Sequence, residues 1–218
     1  ATAITSAHIT ETRYNGIARN SRNAHANSQE GAMGAREAFE RCFRELVMEK
    51  PYSKITVTEI CRKAHLSRKT FYDNFQDKEE ILQAIFEDDV VKPVRTMNTL
   101  LSIRQSRDLQ GIYMQNVYVP IYEDKEFYQK LIRPMKGVDD TFVRVVTHSL
   151  EQLNLEIMGD SEISSGLERE YVAYYFASSQ AMFMQKWIFD GMLFTPQELG
   201  TLYEKMTGFY WLDNSKDV

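Results

Sequence analysis

Residues 55–75, ITVTEICRKAHLSRKTFYDNF, constrain the fold more than any other stretch of the chain. Thr56 with Glu59 three residues on is the capping-box pattern, in which each side chain satisfies an orphan backbone N–H of the other. Ile55 before that cap and Ile60 at the fourth helical position are placed to form a hydrophobic staple. This predicts a helix from Val57 to about Ala64. His65 and Leu66 make a turn, and Ser67 is a second N-cap, starting a helix at Arg68 that runs to about Asn74. Helices joined by so tight a turn cross steeply. Ile60, Cys61, Ala64, Leu66, Phe71 and Phe75 are then spaced to meet in one small core.

That crossing leaves Arg68, Lys69 and Thr70 near the exposed start of the second helix, with Ser67 beside them. In a helix-turn-helix this end faces base edges in the major groove of DNA. From Ile60 to Tyr72 the chain carries Arg62, Lys63, Arg68 and Lys69 and no acid, against a net charge of -5 for the whole protein. On these residues alone, an ordinary helical hairpin with a solvated basic face fits as well.

The flanks separate the two readings. The run T-V-T-E-I-C-R-K-A-x-L-S-R-K-T-F-Y-x-x-F-x-D-K-E-E-I-L closely resembles the DNA-binding domain of the TetR family of bacterial transcriptional regulators. The matching residues are Thr56, Ile60, Ala64, Leu66, Ser67, Phe71, Tyr72, Phe75, Lys78, Glu79 and Leu82, within a resemblance covering about residues 36–85. His65 departs from it, since the family usually has Gly there. A positive φ is expected at His65, which His tolerates better than most residues do. The resemblance implies that Thr56, Tyr72 and Lys78 touch the DNA backbone. The positions agree, because Thr56 and Lys78 stand at helix N-termini, where N–H groups and the helix dipole favour anions. It also implies a homodimer reading near-palindromic double-stranded operator DNA, and a pocket for a small-molecule effector.

Charge divides the chain unevenly. Residues 1–34 and 35–80 each carry +1, and the remainder carries −7. DNA would repel such a body, which favours one docking orientation. Cys42 and Cys61 fall on apolar helix faces and read as small core residues. No apolar run approaches the roughly 18 residues of a membrane span, and no signal peptide is visible, so the expectation is a cytoplasmic protein without a membrane partner.

Taken in order, residues 1–34 are rich in Ala, Ser, Thr and Asn and read as a flexible extension. Residues 35–48 form an amphipathic helix with Ala38, Phe39, Cys42, Phe43, Leu46 and Val47 on one face. Asp77 opens another helix, capped with Glu80, that Pro93 should kink or break near Val91 before it resumes toward Leu101. Helices are expected over 109–119, ending at Pro120, then 123–132, 138–155 and 167–190, with Gly191 as a C′ residue. Thr195 caps a last helix, with Pro196 at its first position, Glu198 at its third, and Phe194 facing Leu199 as a staple. No β-alternation is sustained. The fold class is therefore all-α: a three-helix helix-turn-helix domain over 35–80 and a helical ligand-binding and dimerisation domain over 81–218.

In the 167–190 helix, Val172, Phe176, Phe183 and Trp187 make one apolar stripe, and Tyr171, Tyr174, Ala181 and Ile188 a neighbouring one. A helix apolar on two sides is buried on two sides. With Leu202, Met206 and Phe209 of the last helix, the second stripe is the expected dimer interface. The resemblance implies that the last two helices pair with their copies. Tyr118, Tyr122, Phe142, Tyr175, Phe176 and Phe183 are the candidate pocket lining for an apolar or aromatic ligand.

The histidines, His8, His25, His65 and His148, lie on different elements without partners at metal-ligand spacing. Neither a glycine-rich phosphate loop nor a nucleophile turn appears. No catalytic residue, metal or cofactor is expected. The reading is a sequence-specific regulator, a repressor released by a small ligand. The alternatives are an activator or ligand-independent regulator on the same fold, or a helical small-molecule-binding or interaction protein without DNA binding.

Overall fold

The computed structural model describes residues 34–100, 110–158 and 166–212, excluding the side chains of 100, 110, 166, 167 and 207–212. The extension over 1–33 lies outside the described residues, and so does the side chain of Phe209. All regular elements among the described residues are helical.

The head comprises α1 (Ala35–Glu49), a 3-10 turn (Tyr52–Lys54), α2 (Val57–Ala64) and α3 (Arg68–Tyr72). Phe39, Phe43, Leu46, Val47, Ile60, Phe71 and Phe75 are almost wholly buried between them. The Phe71 ring meets Phe39 edge-on at 5.2 Å and Phe75 at 5.9 Å. Thr56 and Glu59 form the reciprocal capping box, and Ser67 accepts from the Thr70 N–H. His65 is left-handed at φ 55°. The second helix of the pair ends at Tyr72, two residues earlier than its pattern suggests, with the Asp73 N–H closing the last turn on Lys69 O.

Asp77 caps α4 (Lys78–Phe86), its carboxylate accepting from the N–H groups of Glu79 and Glu80. Glu80 accepts from Gln76 N rather than closing the box on Asp77. Pro93 does not break the rod. A π-helical turn (Glu87–Val91) leads directly into α5 (Lys92–Leu100), the Lys92 N–H reaching back to Glu87 O. Proline has no N–H for the carbonyl of Asp89 and its ring needs room there. The wider turn supplies that room.

The body adds α6 (Gln110–Glu123), α7 (Lys125–Ile132), α8 (Thr141–Met158), α9 (Gly166–Phe189) and α10 (Pro196–Leu212). Pro120 lies inside α6, not at its end. Val117, Tyr118 and Ile121 around it are buried, and their packing outweighs one missing backbone bond. α8 starts at Thr141 because Asp139 accepts from its N–H at 2.8 Å. Thr195, Pro196 and Glu198 start α10 with a reciprocal cap. Phe194 is exposed instead of stapled to the buried Leu199; its carbonyl accepts from Trp187 Nε1 at 2.9 Å. No helix among the described residues is long and apolar enough to cross a membrane.

Two glycines bring α6 and α10 together. A Cβ on Gly200 would stand 2.5 Å from the carbonyl oxygen of Gly111, a backbone atom that cannot swing aside. Gly200→Ala should therefore force the helices apart and cost about 1–3 kcal/mol, read from urea unfolding. A variant as stable as the parent would show that the crossing tolerates a wider spacing.

Head and body share one contiguous apolar core, running from Phe39 through Phe86 and Val90 to Leu199. Glu40, on α1, has only 14% of its side chain exposed, and its Oε1 lacks a hydrogen-bond donor because Arg36 Nε, 3.3 Å away, is off-line. Burial and then the charge of Asp88 raise its pKa from 4.5 to about 7, against the pull of Arg36, Arg44 and Lys92. Between those values the folded protein binds more protons than the unfolded one, so this group's contribution to stability falls as pH rises through the window. Glu40→Gln removes the fall. Its advantage over the parent, from unfolding midpoints at about pH 5 and about pH 8, should be larger at the higher pH.

Candidate nucleic-acid interface

The outer surface of α2 and α3 gathers what the basic run promises, but not every cation in it is available. Lys63 is tied to Glu49 at 2.7 Å and Glu45 at 3.2 Å, which staples α2 to α1. Arg62, Arg68 and Lys69 are exposed. Arg68 Nη2 donates to the Tyr72 hydroxyl at 3.2 Å, with its guanidinium 5.9 Å from the Tyr72 ring centre. Tyr72 is 53% exposed and rests edge-on against Phe71 at 5.4 Å. The buried Phe71 thus sets Tyr72, and Tyr72 sets Arg68.

Ser67 and Thr70 share a 2.8 Å hydroxyl–hydroxyl hydrogen bond beside them, at the start of α3. Thr56 is exposed at the start of α2, but its hydroxyl donates to Glu59 Oε2 at 3.0 Å. The Lys50 ammonium and the Thr56 donors hold Glu59 ionised, its pKa down to about 2. An anion approaching Thr56 therefore meets a carboxylate as well as the helix N-terminus.

Lys78 is turned inward. Its ammonium donates to Tyr52 O at 2.9 Å and Ile55 O at 3.1 Å, and lies 4.1 Å from the Tyr52 ring centre. Burial pushes its pKa down. Two of its three N–H donors are spent on the turn before α2, so its first task is to clip α4 to the head. Tyr52 is the residue sequence reasoning missed. Its one signal was an aromatic residue directly after Pro51, at the end of an apolar helix face.

In the body, the candidate pocket residues separate. Tyr118 is buried against Phe183 at 6.3 Å and Trp187 at 5.2 Å, and Tyr122 stacks on Trp187 at 6.1 Å. These four bring α6 and α9 together. Phe142 is wholly buried on α8. Tyr175 and Phe176 are not inside: they lie on the outer face of α9, 65% and 44% exposed.

The expected interface stripe also splits. Tyr171 and Tyr174 are exposed, whereas Ala181 and Ile188 are fully buried with Ala173, Ala177 and Met184. Small residues form the inward face because α9 lies close along α8, where Asn154 Nδ2 reaches Ala173 O at 3.3 Å. The large side chains are left outside, so the outer face reads Tyr171, Tyr174, Tyr175, Phe176 and Met182. Leu202 is half-buried and Met206 exposed on α10.

Residues 44–85, which include α2, α3 and all but the last residue of α4, match the family described as bacterial regulatory proteins, tetR family, and residues 113–208 match the family described as transcriptional regulator C-terminal region. The chain belongs to the TetR family of bacterial transcriptional regulators. The HTH-type dhaKLM operon transcriptional activator DhaS of Lactococcus lactis subsp. lactis (strain IL1403) is 27% identical over 146 residues, 64% of this chain and 71% of that protein. The uncharacterized HTH-type transcriptional regulator YxbF of Bacillus subtilis (strain 168) is 42% identical over 53 residues, 24% of this chain and 14% of that protein. A putative TetR-family transcriptional regulator from Syntrophomonas wolfei str. Goettingen has the same fold, with TM-score 0.55 and 16% identity over 77% of this chain and 90% of that one. TetR-family regulators bind operator DNA, typically as dimers.

Proposed function

We propose that the protein is a cytoplasmic, dimeric repressor that reads a near-palindromic operator with α3 and is released by a small apolar or aromatic ligand. The observation that carries the DNA-reading part is the exposed set Arg62, Arg68, Lys69 and Tyr72 on one end of a molecule whose remainder is acidic. Arg68, Lys69 and Thr70, beside Ser67, are the base readers, Arg or Lys suiting guanine O6 and N7 and Thr suiting a thymine methyl. Thr56, Tyr72 and Lys78 hold the phosphates, Lys78 with the donor that its two carbonyl partners leave over. The ligand sits among Tyr118, Tyr122 and Phe183, beside the contacts that Tyr118 makes with Phe183 and Trp187 and that Tyr122 makes with Trp187.

Selection of bound sequences from a random duplex pool tests this reading. A symmetric motif is the expected result, since a two-fold protein reads a two-fold site. Arg68→Ala or Lys69→Ala should relax one position of the motif in each half, by roughly 5- to 150-fold in discrimination. If both variants return the parent motif unchanged, a different face lies in the groove. A second reading, an activator on the same fold, is favoured by the name of the Lactococcus relative. Transcription from a promoter carrying the selected motif separates the two: a repressor lowers it and an activator raises it.

A further inference from the structure

The head and body are joined by apolar packing, which is not directional, and by polar contacts, which are: Lys130 of α7 donates to Met48 O at 3.0 Å, and an ionic cluster gathers around Arg44. Arg44 projects from α1 with its Nη2 on both carboxylate oxygens of Asp89, at 2.8 and 2.6 Å, and its Nη1 on Asp124 at 2.6 Å. The Phe127 ring lies 4.6 Å beneath its guanidinium. The hydroxyl of the fully buried Tyr128 donates to Asp89 Oδ2 at 2.7 Å. One cation of the head is thus held by two acids outside it, one on the rod and one on the body. A planar guanidinium whose two Nη atoms bind two different carboxylates is fixed in direction as well as distance.

Asp89 belongs to the π turn of the rod that links head to body. Such turns interrupt the α-helical ladder and recur at functional positions. The body grips the same turn from the other side, because Arg95 binds Glu87 at 3.0 Å and Glu156 of α8 at 2.7 Å. The head is therefore tied to the rod at two levels: at its start, by the chain itself at 75–77 and by the Lys78 clip to Tyr52 O and Ile55 O, and further along by Arg44 at the turn. With the second removed, the first level, the Lys130 contact and the apolar packing are left to set the angle of the head.

We propose that Arg44, clamped between Asp89 of the π turn and Asp124 ahead of α7, is a positioning residue that sets the angle of each DNA-reading head and so the half-site spacing the dimer accepts. The proposal rests on the DNA-binding reading above. Two rigid heads about one helical turn apart tolerate little change in spacing, so a small rotation at the joint becomes a large change in operator preference. It also names the contact through which a ligand in the body would act, since Tyr128 and Asp124 belong to the body and Asp89 to the rod.

The test uses the full chain, the selected operator, the same operator with one or two base pairs added between half-sites, and a single half-site. The parent should discriminate against the altered spacings by at least about tenfold. In Arg44→Met that discrimination should fall to within about threefold, while affinity for the single half-site stays within about twofold of the parent. Asp89→Asn keeps the volume and an acceptor for Tyr128, so it folds where Arg44→Met fails, and it should show the same loss in part. Arg44→Lys, which keeps the charge and loses the fork, should not restore the preference. A folded variant that weakens every duplex alike, or that keeps the parental spacing preference, overturns the proposal. If the parent selects no duplex, the DNA-binding reading has failed, and hydrogen exchange decides the joint. Faster exchange of the amides at 87–92 in Arg44→Met upholds it, and unchanged exchange overturns it.

Discussion

Tyr174→Glu should leave a folded protein that is monomeric and holds its operator hundreds of times less tightly. Tyr174 is 54% exposed and stands with Tyr171, Tyr175, Phe176 and Met182 on the outer face of α9. Soluble monomers rarely leave so many large side chains in water along one helix, and exposed apolar surface of this kind marks an interaction site. The substitution removes nothing from the subunit's own core, so its effect on subunit stability should stay within about 0.5 kcal/mol. Across a two-fold interface, however, the substitution is made twice, and each glutamate loses water to an apolar surface. The loss of operator affinity follows from separating the two heads. The second half-site is no longer bound at the effective concentration that linkage provides, which is worth about 10²–10⁴.

Sedimentation gives the oligomeric state, and anisotropy on the selected duplex gives the affinity. A Tyr174→Glu protein that remains dimeric would move the interface off this face. Ala181→Glu is the informative contrast. Ala181 is fully buried inside the subunit, so a glutamate there should prevent folding rather than dissociate a folded pair.

Phe71→Ala should cost about 3–5 kcal/mol of unfolding free energy, a large share of the ~5–15 available to a domain. Its ring is wholly buried and touches Phe39, Phe75 and Tyr72. α3 has only five residues, far too few to be helical without tertiary support. Removing the ring therefore removes the support of the element that carries Arg68 and Lys69, and of the Tyr72 ring on which Arg68 rests. Urea unfolding measures the cost, and a loss below about 1 kcal/mol would mean that Phe71 is not the keystone of the head. Operator binding should fail in the same variant under conditions where the body is still helical by circular dichroism.

The parts of the molecule legible from sequence are those whose causes lie within about four residues. Thr56 with Glu59, Ser67 with Thr70, and Thr195 with Glu198 are bonded as their spacing requires, because a cap is satisfied by neighbours along the chain. The turn at His65 is likewise local. The apolar face of α1 could be read because all six residues of one stripe point to one core.

Tertiary structure decided what periodicity leaves ambiguous. Along α9, Tyr and Phe satisfy more than one helical stripe, and the choice was made by Ala173, Ala177 and Ala181, whose small size lets α8 come close. A weak hydrophobe that permits close approach can outrank a strong one, and no hydropathy pattern records approach. Pro93 and Pro120 are breakers in isolation, yet both sit within continuous helices, because packing outweighs a lost backbone bond and a π turn gives the ring room. Lys78 is long and charged, and whether it reaches solvent or the carbonyls of Tyr52 and Ile55 depends on a turn 23 residues away. Arg44 finds Asp89 and Asp124 at separations of 45 and 80 residues. Sequence determined the helices, their caps and the helix-turn-helix, because short-range bonding suffices for them. Which faces meet, and where the cations go, was settled only when distant segments competed for the same partners.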